Sequence, residues 1–555
     1  MEKTMYVSGW TDGKISEILT DPYYAKALEN LKEKNERFIA TEPPTVTFSL
    51  LHLFELTGDR ATFENVYKEY TQRLNTLTIS YMLFKDERCI TPLANLIWQI
   101  CNFESWGIAA HVREHEPLDK RRRWLELYST EMGRNIAFTL AVAGDALPTL
   151  VSKRAEWEIR ERIIGGYEKY DFWWMKTTNN WAAVCAAGVL ASYLFVGTKE
   201  EIECAIPRLL TVAEHYLSGF DKDGVCKEGY NYWTFGFTSF CQFADMLNNY
   251  TEGRINLFLD ERVHKIAKFQ ENCAINDHEC IRFSDCGEIF APSAPISHFL
   301  KDHFPDVQIP TIPAPTEVSD LYSLIWINPA YNEGKMQPKS VIFTDAQWFI
   351  YRSEKYNFVC KAGSNAESHN HNDIGSFMIS KGGRVTFTDP GSGAYTARYF
   401  SDSRYEILEP SARAHSVPII NGNLQVRRTE KSTLYKAEPR EFSFSMQNGY
   451  EIPTLNSLKR SFVCQDDVIV LTDEYSFSKA PESVVERFVT LREPAFAPGS
   501  VTVGDSTLVY DENLFELVPS TETCVRKADV NETLYIIDLK AKELKEKMTL
   551  SVKFI

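Results

Sequence analysis

The sequence predicts a protein of two parts, an all-helical N-terminal domain followed by an antiparallel β-sandwich. Apolar residues recur at three- and four-residue spacing from about residue 15 to 325, whereas apolar and polar residues alternate from about residue 340 onward. Prolines cluster where the pattern changes. Because 555 residues are more than one hydrophobic core normally serves, we expect separate domains at 1–325 and 326–555.

The helical half consists of amphipathic segments of similar length. These segments span 47–56, 93–113, 121–143, 153–167, 181–196 and 200–217. Turn residues separate many of them, as at Gly58-Asp59 and Gly197-Thr198, and no strand pattern intervenes. Successive helices without strands indicate an array of α-hairpins or a toroid rather than an α/β fold.

The β-rich half follows a stretch that we interpret as the connection between the domains. Its prolines are Pro305, Pro310, Pro313, Pro315, Pro329 and Pro338. Beyond it, the segments 341–353, 356–363, 375–389 and 468–477 are rich in β-branched and aromatic residues. Turn pairs such as Gly382-Gly383 and Asn421-Gly422 separate strands of this kind. Many short strands at this spacing are typical of an antiparallel sandwich.

Charge and cysteine content limit the possible partners. A formal net charge of −16 argues against nucleic acid as a partner, but a local basic cleft could still bind an acidic glycan. The 12 cysteines include no Cys-x-x-Cys pair, so we expect reduced thiols rather than a disulfide framework. No apolar stretch is long enough for a membrane span, and no signal peptide is visible. The sequence as it stands predicts a cytoplasmic protein, or a periplasmic or secreted one if a signal has been removed.

A histidine pair in the β-rich half is the strongest local signal. His369 and His371 are two residues apart, Asp389 lies in a Thr-Asp-Pro-Gly stretch, and His415 follows in Ala-His-Ser. Two neutral imidazoles and a carboxylate suit Zn²⁺ and also Mn²⁺. Spacing alone leaves the alternative that these are hydrogen-bonded histidines of the core.

A second group lies in the helical half. Asn179 and Asn180 precede an apolar helix, and either could be an ordinary N-cap. Residues 227–236 are dense in aromatic side chains next to Glu228 and include Tyr230 and Tyr232. The alternative is a loop of aromatic residues packed on a neighbouring helix.

Further aromatic and polar groups in the helical half suit carbohydrate, because the apolar faces of sugar rings stack on aromatic side chains. Trp98 and Gln99 form one such group, and Trp174 and Lys176 form another. Core packing explains aromatic residues equally well, so this signal is not specific.

Together these motifs resemble the heparinase II/III-like polysaccharide lyases. The resemblance rests on Asn180-Trp181, on Glu-Gly-x-x-Tyr-Trp at 228–233, and on His-x-His-x-Asp followed by Gly-Ser-Phe at 369–377. Thr-Asp-Pro-Gly at 388–391 and Ala-His-Ser at 414–416 complete the ordered set, which spans about 235 residues. The resemblance implies an incomplete α/α toroid before an antiparallel β-sandwich, with substrate bound in the cleft between them.

The resemblance also implies roles for individual residues. Tyr232 would be the catalytic acid and often also the base, with Tyr230 as the nearby alternative. Asn180 would neutralise the uronate carboxylate, and His369 would be a catalytic or carboxylate-contacting group. The metal ligands would be His371, Asp389 and His415, which are expected to hold one divalent ion, Zn²⁺ before Mn²⁺, in a mainly structural role.

Residues near these motifs are candidates for substrate binding. They are Asn179, Glu228, Tyr230, Trp98, Gln99, Trp174, Lys176, Arg398 and Arg413. Arg404 lies in the same stretch as the last two, interleaved with Tyr395, Tyr399 and Tyr405. Each of these cations could instead be a solvated surface charge.

The function that the resemblance implies is β-elimination on a uronate-containing glycosaminoglycan such as heparan sulfate, hyaluronan or chondroitin sulfate. Alginate or another polyuronate is the alternative within the same class. A toroid-fold glycoside hydrolase would need two carboxylates that flank the scissile bond, and Glu104, Glu228 and Asp285 are available for that role. A glycan-binding protein without activity is the third possibility.

Overall fold

The computed structural model describes residues 5–276, 279–287, 292–309, 312–331, 339–526 and 530–555. Helices precede antiparallel sheets along the chain, so the predicted order of the two structural classes is confirmed. Pro310 and Pro338 of the predicted connection lie outside the described residues. No helix among the described residues is long and apolar enough to cross a membrane.

The helices are numbered in chain order. They are α1 (Asp12–Thr20), α2 (Ala25–Ala40), α3 (Phe48–Thr57), α4 (Ala61–Phe84), α5 (Ile90–Cys101), α6 (Leu118–Arg122), α7 (Leu127–Ala143), α8 (Thr149–Ile159), α9 (Gly165–Lys169), α10 (Asn180–Val196), α11 (Lys199–Leu217), α12 (Tyr230–Tyr250), α13 (Glu261–Ala267), α14 (Phe269–Cys273), α15 (Ala294–His303) and α16 (Tyr322–Ile325). Helix α10 is buried along nearly its whole length, and Gly188 permits its close approach to α7, because a Cβ there would lie 2.4 Å from the Thr130 carbonyl oxygen.

The helix predicted over 93–113 is too long. It ends at Cys101, because other groups take up the carbonyls of its last turn. The Trp106 indole donates to the carbonyl of Ile100, and the Arg162 guanidinium donates to those of Cys101 and Phe103. Residues 102–117 therefore run in turns.

The strands are numbered separately. They are β1 (Val341–Phe343), β2 (Trp348–Arg352), β3 (Tyr356–Lys361), β4 (Phe377–Lys381), β5 (Arg384–Phe387), β6 (Ile419–Ile420), β7 (Leu434–Glu438), β8 (Glu441–Ser445), β9 (Leu455–Cys464), β10 (Ile469–Phe477), β11 (Val484–Thr490), β12 (Ala495–Ala497), β13 (Ser500–Val503), β14 (Ser506–Val509), β15 (Phe515–Val525), β16 (Asn531–Ala541) and β17 (Lys547–Phe554).

Within the described residues the strands form three antiparallel sheets. Their orders are β1-β2-β3-β4-β5, β12-β13-β14-β17-β10-β9-β8-β7 and β15-β16-β11-β6. Inward-facing aromatic residues join the first two sheets: the Phe358 and Phe462 ring centroids are 4.8 Å apart, and those of Phe387 and Phe554 are 4.9 Å apart. Alternation of buried and exposed residues along β9 and β10 gives the one-sided burial of a sandwich.

The chain groups into two compact units that are not contiguous in sequence. The first comprises Met1–Gly219, Trp233–Ala267 and Pro292–Lys335, and the second comprises Phe220–Tyr232, Lys268–Ala291 and Met336–Ile555. These units are defined by contacts between residues and do not test where domains begin and end along the chain. The domains 1–325 and 326–555 therefore remain a prediction. The second unit includes Tyr232 and all of the sheets.

Candidate active site

The two asparagines of the helical unit have different surroundings. Asn179 is the N-cap of α10, and its side-chain oxygen accepts a hydrogen bond from the backbone N–H of Trp181 at 3.1 Å. Asn180 is the first residue of that helix and is buried. A Cβ at Gly236 would lie 2.9 Å from the Cβ of Asn180, so this glycine lets α12 pass closely over the start of α10. The N-cap role therefore belongs to Asn179.

Of the predicted aromatic contacts in this unit, Trp174 is not available to a ligand. Its ring is fully buried, and its indole N–H donates to the Leu125 carbonyl at 2.8 Å, so it is a core residue. The preceding Trp173 is 53% exposed, and its ring centroid lies 4.7 Å from that of Trp181. A short 3₁₀ turn, Trp173–Lys176, places adjacent tryptophans in opposite environments, which sequence alone could not assign.

The remaining candidates of the helical unit lie at its surface or just beneath it. Trp98 is 38% exposed, with the Arg154 guanidinium 5.6 Å from its ring centroid. Gln99 is half-buried and accepts a hydrogen bond from Tyr70 at 3.0 Å. Lys176 is exposed. These three side chains remain candidates for substrate contact.

The segment before α12 depends on a glycine. Gly229 has a φ of +97°, and a Cβ there would lie 2.9 Å from the carbonyl oxygen of Phe283, so the position needs glycine on two counts. Glu228 is buried beside it. Tyr230 is also buried, with its hydroxyl 3.5 Å from the side-chain oxygen of Gln270. Tyr230 therefore packs inside the unit and is not placed as an alternative proton donor.

Tyr232, in the first turn of α12, meets two side chains from the β-rich segment. Its ring stacks on His369, with centroids 4.1 Å apart, and its hydroxyl is 2.9 Å from that of Tyr395. Burial and the nearby charge of Asp285 raise the pKa of Tyr232 above its ordinary value. The hydroxyl is therefore held in its protonated form at neutral pH.

Asp285 is the centre of the hydrogen-bond network. Its carboxylate lies 2.7 Å from His369 Nδ1 and 3.1 Å from His371 Nε2, and it accepts from the hydroxyl of Tyr399 at 2.6 Å and from Arg404 at 2.8 Å. Burial alone would raise the pKa of Asp285, but the hydrogen bonds to the two histidines and the charge of Arg404 hold it well below its usual value. This carboxylate stays ionised.

His369 occupies an unusual backbone position. Its φ is +54°, in the left-handed region that side chains other than glycine seldom adopt. Such strain concentrates at functional sites. In the tautomer that donates Nδ1–H to the Asp285 carboxylate, Nε2 is the hydrogen-bond acceptor of the His369 ring.

His371, Asp389 and His415 form a buried group whose ligand atoms all lie within 4.8 Å of one another. The nitrogen His371 Nε2 is engaged by Asp285, and its buried Nδ1 has no hydrogen-bond partner among the residues that the structure describes. His415 Nε2 is 2.9 Å from the carbonyl oxygen of Glu409, so its other nitrogen, Nδ1, is the one directed at Asp389. Outer partners of this kind orient histidine ligands at metal sites. Burial lowers the pKa of His371, which favours the neutral ring that a metal needs. The donor set fits a divalent ion.

The arginines of the 398–413 stretch differ in how they are engaged. Arg398 is exposed and forms an ion pair with Glu406 at 2.6 Å. Arg413 is half-buried, and one of its N–H groups donates to the Glu406 carbonyl at 3.3 Å. Arg404 is the one that joins the site, because it donates to Asp285. Sequence reasoning had placed Arg404 in the right stretch without identifying its partner.

The structure therefore brings together Tyr232 and His369, and separately the three predicted metal ligands. It adds Asp285 and Tyr395, which sequence reasoning had noted only as a possible hydrolase carboxylate and as one of several tyrosines. Asp285 and His369 are 84 positions apart in the sequence, and Tyr232 and Tyr395 are 163 positions apart. No local motif indicates pairs so far apart. Asn179, Asn180, Trp98, Gln99, Trp174 and Lys176 belong to the other compact unit.

Comparison with known proteins agrees with this description. Residues 335–528 match the family model described as heparinase II/III-like, C-terminal. No curated protein sequence matches the chain.

Solved structures of low sequence identity share the fold over nearly the whole chain. A heparinase III structure is 14% identical, with 99% of this chain and 92% of the other covered and a TM-score of 0.63. A heparan sulfate lyase mutant from Pedobacter heparinus is 12% identical, with 99% and 91% covered and a TM-score of 0.63. The chondroitin AC lyase of Streptomyces coelicolor A3, in complex with chondroitin sulphate, is 11% identical, with 98% and 82% covered and a TM-score of 0.57.

These matches confirm the predicted fold class, a helical toroid followed by an antiparallel β-sandwich. The chain thus carries a heparinase II/III-like C-terminal domain within the fold of heparinase III.

Proposed function

We propose that the protein cleaves uronate-containing glycosaminoglycans by β-elimination and leaves an unsaturated uronate at the new end. The observation that carries this proposal is the stacked pair of Tyr232 and His369, with Asp285 bonded to the histidine. A protonated hydroxyl beside an imidazole with one free nitrogen supplies the acid and the base that such an elimination needs.

The reaction removes the proton at C5 of the uronate and expels the glycosidic oxygen at C4. The raised pKa of Tyr232 favours this residue as the acid that protonates the leaving oxygen rather than as the base. His369, with its proton held at Nδ1 by Asp285, offers Nε2 to the C5 proton. Tyr395, bonded to the Tyr232 hydroxyl, orients it.

Asn180 is proposed as the residue that neutralises the uronate carboxylate. Its position at the first residue of α10 places its amide at a helix N-terminus, where N–H groups and the helix dipole favour negative charge. Hydrogen bonds to the carboxylate stabilise the enolate-like intermediate that forms when the C5 proton leaves.

His371, Asp389 and His415 would hold one divalent ion, and we propose Zn²⁺, with Mn²⁺ as the alternative. When bound, the ion would tie these three segments together and fix the backbone that carries His369. The chain's own groups, rather than the ion, perform the proton transfers described above.

The relatives and the surface groups support a glycosaminoglycan as the polymer class. The similar structures include lyases named for heparan sulfate and chondroitin, and this chain carries exposed cations at Lys176 and Arg398 and an exposed ring at Trp173. Alginate or another polyuronate has the same reacting atoms and is the alternative substrate.

A hydrolase is not favoured, because two of its three candidate carboxylates, Asp285 and Glu104, are engaged by other side chains. Asp285 accepts hydrogen bonds from an arginine and a tyrosine and is held ionised, so it cannot act as the general acid. Glu104 pairs with Arg121 through both carboxylate oxygens at 2.9 Å.

The test is ultraviolet absorbance of the conjugated C4–C5 double bond on a panel of heparin, heparan sulfate, hyaluronan, chondroitin sulfates and alginate. Wild type, Tyr232→Phe and the control Tyr435→Phe, which alters an exposed tyrosine on β7, are compared. We expect absorbance to rise on a glycosaminoglycan with wild type and control, and Tyr232→Phe to lower kcat by about 10²–10⁴-fold. New reducing ends without absorbance would indicate a hydrolase and contradict the proposal.

A further inference from the structure

A pair of thiols lies beside the catalytic groups and has no part in the chemistry proposed above. The sulfurs of Cys280 and Cys286 are 3.7 Å apart, and both residues are fully buried. Cys286 directly follows Asp285, the carboxylate that holds His369. Neither the spacing of these cysteines nor the β-elimination chemistry accounts for this placement.

Cys286 lies against the start of α12. The hydrogen bond with Cys280 and the backbone N–H groups of Asn231 and Tyr230 lower the pKa of the Cys286 thiol, although burial opposes them. Thiols at helix N-termini are reactive for this reason. Burial instead raises the pKa of the neighbouring Cys226 and Cys273 well above the ordinary value, so Cys286 differs from the other thiols of this region.

The buried sulfur of Cys286 contacts an exposed residue. It lies 3.7 Å from the side-chain oxygen of Asn231, and Asn231 is exposed. Movement of this side chain is the route by which we expect a small oxidant to reach the thiol.

We propose that Cys280 and Cys286 form an oxidisable dithiol, and that closing it into a disulfide switches off the adjacent catalytic groups. The oxidant is a hydroperoxide. The effect on catalysis rests on the function proposed above, whereas the dithiol itself does not.

The oxidation proceeds in two steps. The Cys286 thiolate attacks one oxygen of the hydroperoxide, the O–O bond breaks, and Cys286 becomes a sulfenic acid while the other oxygen leaves as alcohol or water. The Cys280 thiol then attacks this sulfur and water leaves, which forms the disulfide. Two thiols lose two electrons and two protons in total, and a dithiol reductant reverses the change.

Cys286 adjoins both catalytic elements, so we expect closure of the bond to disturb them. A disulfide bond is about 2.05 Å long, so sulfurs now 3.7 Å apart must approach each other. On one side Asp285 is joined to Cys286 by a peptide bond, and its hydrogen bonds to the histidine depend on distance and angle. On the other side, Cys286 contacts Asn231, which precedes Tyr232.

The experiment treats the full-length protein with hydrogen peroxide and then with dithiothreitol. Wild type is compared with Cys280→Ser, which cannot close the bond, and with Cys204→Ser, which removes an exposed thiol on α11. Peptide mass spectrometry locates disulfides, and a sulfenic acid reagent such as dimedone reports on Cys286. Hydrogen exchange of peptides covering 228–234 and 279–287 follows the backbone without an activity assay.

We expect a disulfide between 280 and 286 in wild type and Cys204→Ser, altered exchange in both peptides, and a loss of lyase activity of about 10²-fold that the reductant restores. Cys280→Ser should keep its basal activity and show no reversible loss. Failure of the disulfide to form while Cys204 is oxidised would overturn the dithiol. A disulfide that leaves exchange and activity unchanged would overturn the switch. Absence of lyase activity before oxidation would count against the proposed function alone, because mapping and exchange still decide this inference.

Discussion

The ring of Tyr232 lies on that of His369 with 25° between the two planes, while Asp285 holds Nδ1 of the same histidine. The proposed acid and base are thereby positioned by contact with each other and by one buried carboxylate.

Asp285→Asn should lower kcat by about 10²–10⁴-fold with a smaller change in KM. The substitution keeps the shape of the side chain but removes the charge that fixes the proton on Nδ1 of His369. Steady-state kinetics on the preferred polymer measures both constants. Asp306→Asn is the control, because Asp306 forms a comparable ion pair with His264 at the surface, 2.8 Å long. Unchanged kcat in Asp285→Asn would remove the carboxylate from the mechanism.

Loss of the metal ligands should lower both metal content and melting temperature. Asp389→Asn removes one ligand and leaves Asp285 bonded to both histidines, so it separates the ion from the catalytic network. Elemental analysis and thermal unfolding, with and without a chelator, are the measurements. His52→Ala, which alters a surface histidine paired with Glu114, is the control. A metal-free His371→Ala variant with the melting temperature and activity of wild type would rule out a structural ion.

Glu367 should make stability depend on pH. Its Oε1 lies 3.9 Å from Nζ of Lys227. Burial raises the pKa of Glu367 from 4.5 to about 7. Because the folded-state pKa exceeds the unfolded one, the stability contribution is complete below pH 4.5 and is lost as pH rises through about 7. The loss is about 3 kcal/mol. Glu367→Gln cannot ionise, so its stability relative to wild type should rise from about pH 4.5 to about pH 7 and then level off.

Thermal unfolding of both proteins across that range measures the difference. Glu29→Gln is the control, because Glu29 forms an exposed ion pair with Lys26. Parallel curves for wild type and Glu367→Gln would contradict the prediction.

Gly229→Ala should destabilise the protein more than Gly253→Ala. Both glycines have positive φ, +97° and +82°, so alanine costs about 1–2 kcal/mol at either position. At Gly229 the added Cβ also meets the Phe283 carbonyl oxygen at 2.9 Å, whereas at Gly253 nothing lies within 4 Å. Denaturant unfolding gives the free energies, and activity should fall only in Gly229→Ala. Equal destabilisation would mean that the close approach to Phe283 is unimportant.

The fold class and the grouping of His371, Asp389 and His415 could be predicted from the sequence, because periodicity is local and these residues belong to recognisable motifs. The Tyr232 and His369 pair was likewise predictable as two candidates, although not their stacking. Asp285 could not be recognised as the partner of His369, since the chain between them spans 84 positions and carries no recurring pattern. Trp173 and Trp174 show a second limit. They are adjacent residues of the same type in a short turn, but Trp173 is exposed and Trp174 is buried, and the sequence does not distinguish them.

The Asp285 carboxylate is hydrogen-bonded to His369 through one oxygen and to His371 through the other. A substitution at Asp285 that changed the proposed acid–base chemistry would therefore also disturb the proposed metal ligand His371. Evolutionary change is expected instead at positions outside this network, such as Trp173 and Arg398, which are exposed. Substrate preference can then drift among related enzymes while the catalytic centre stays constant.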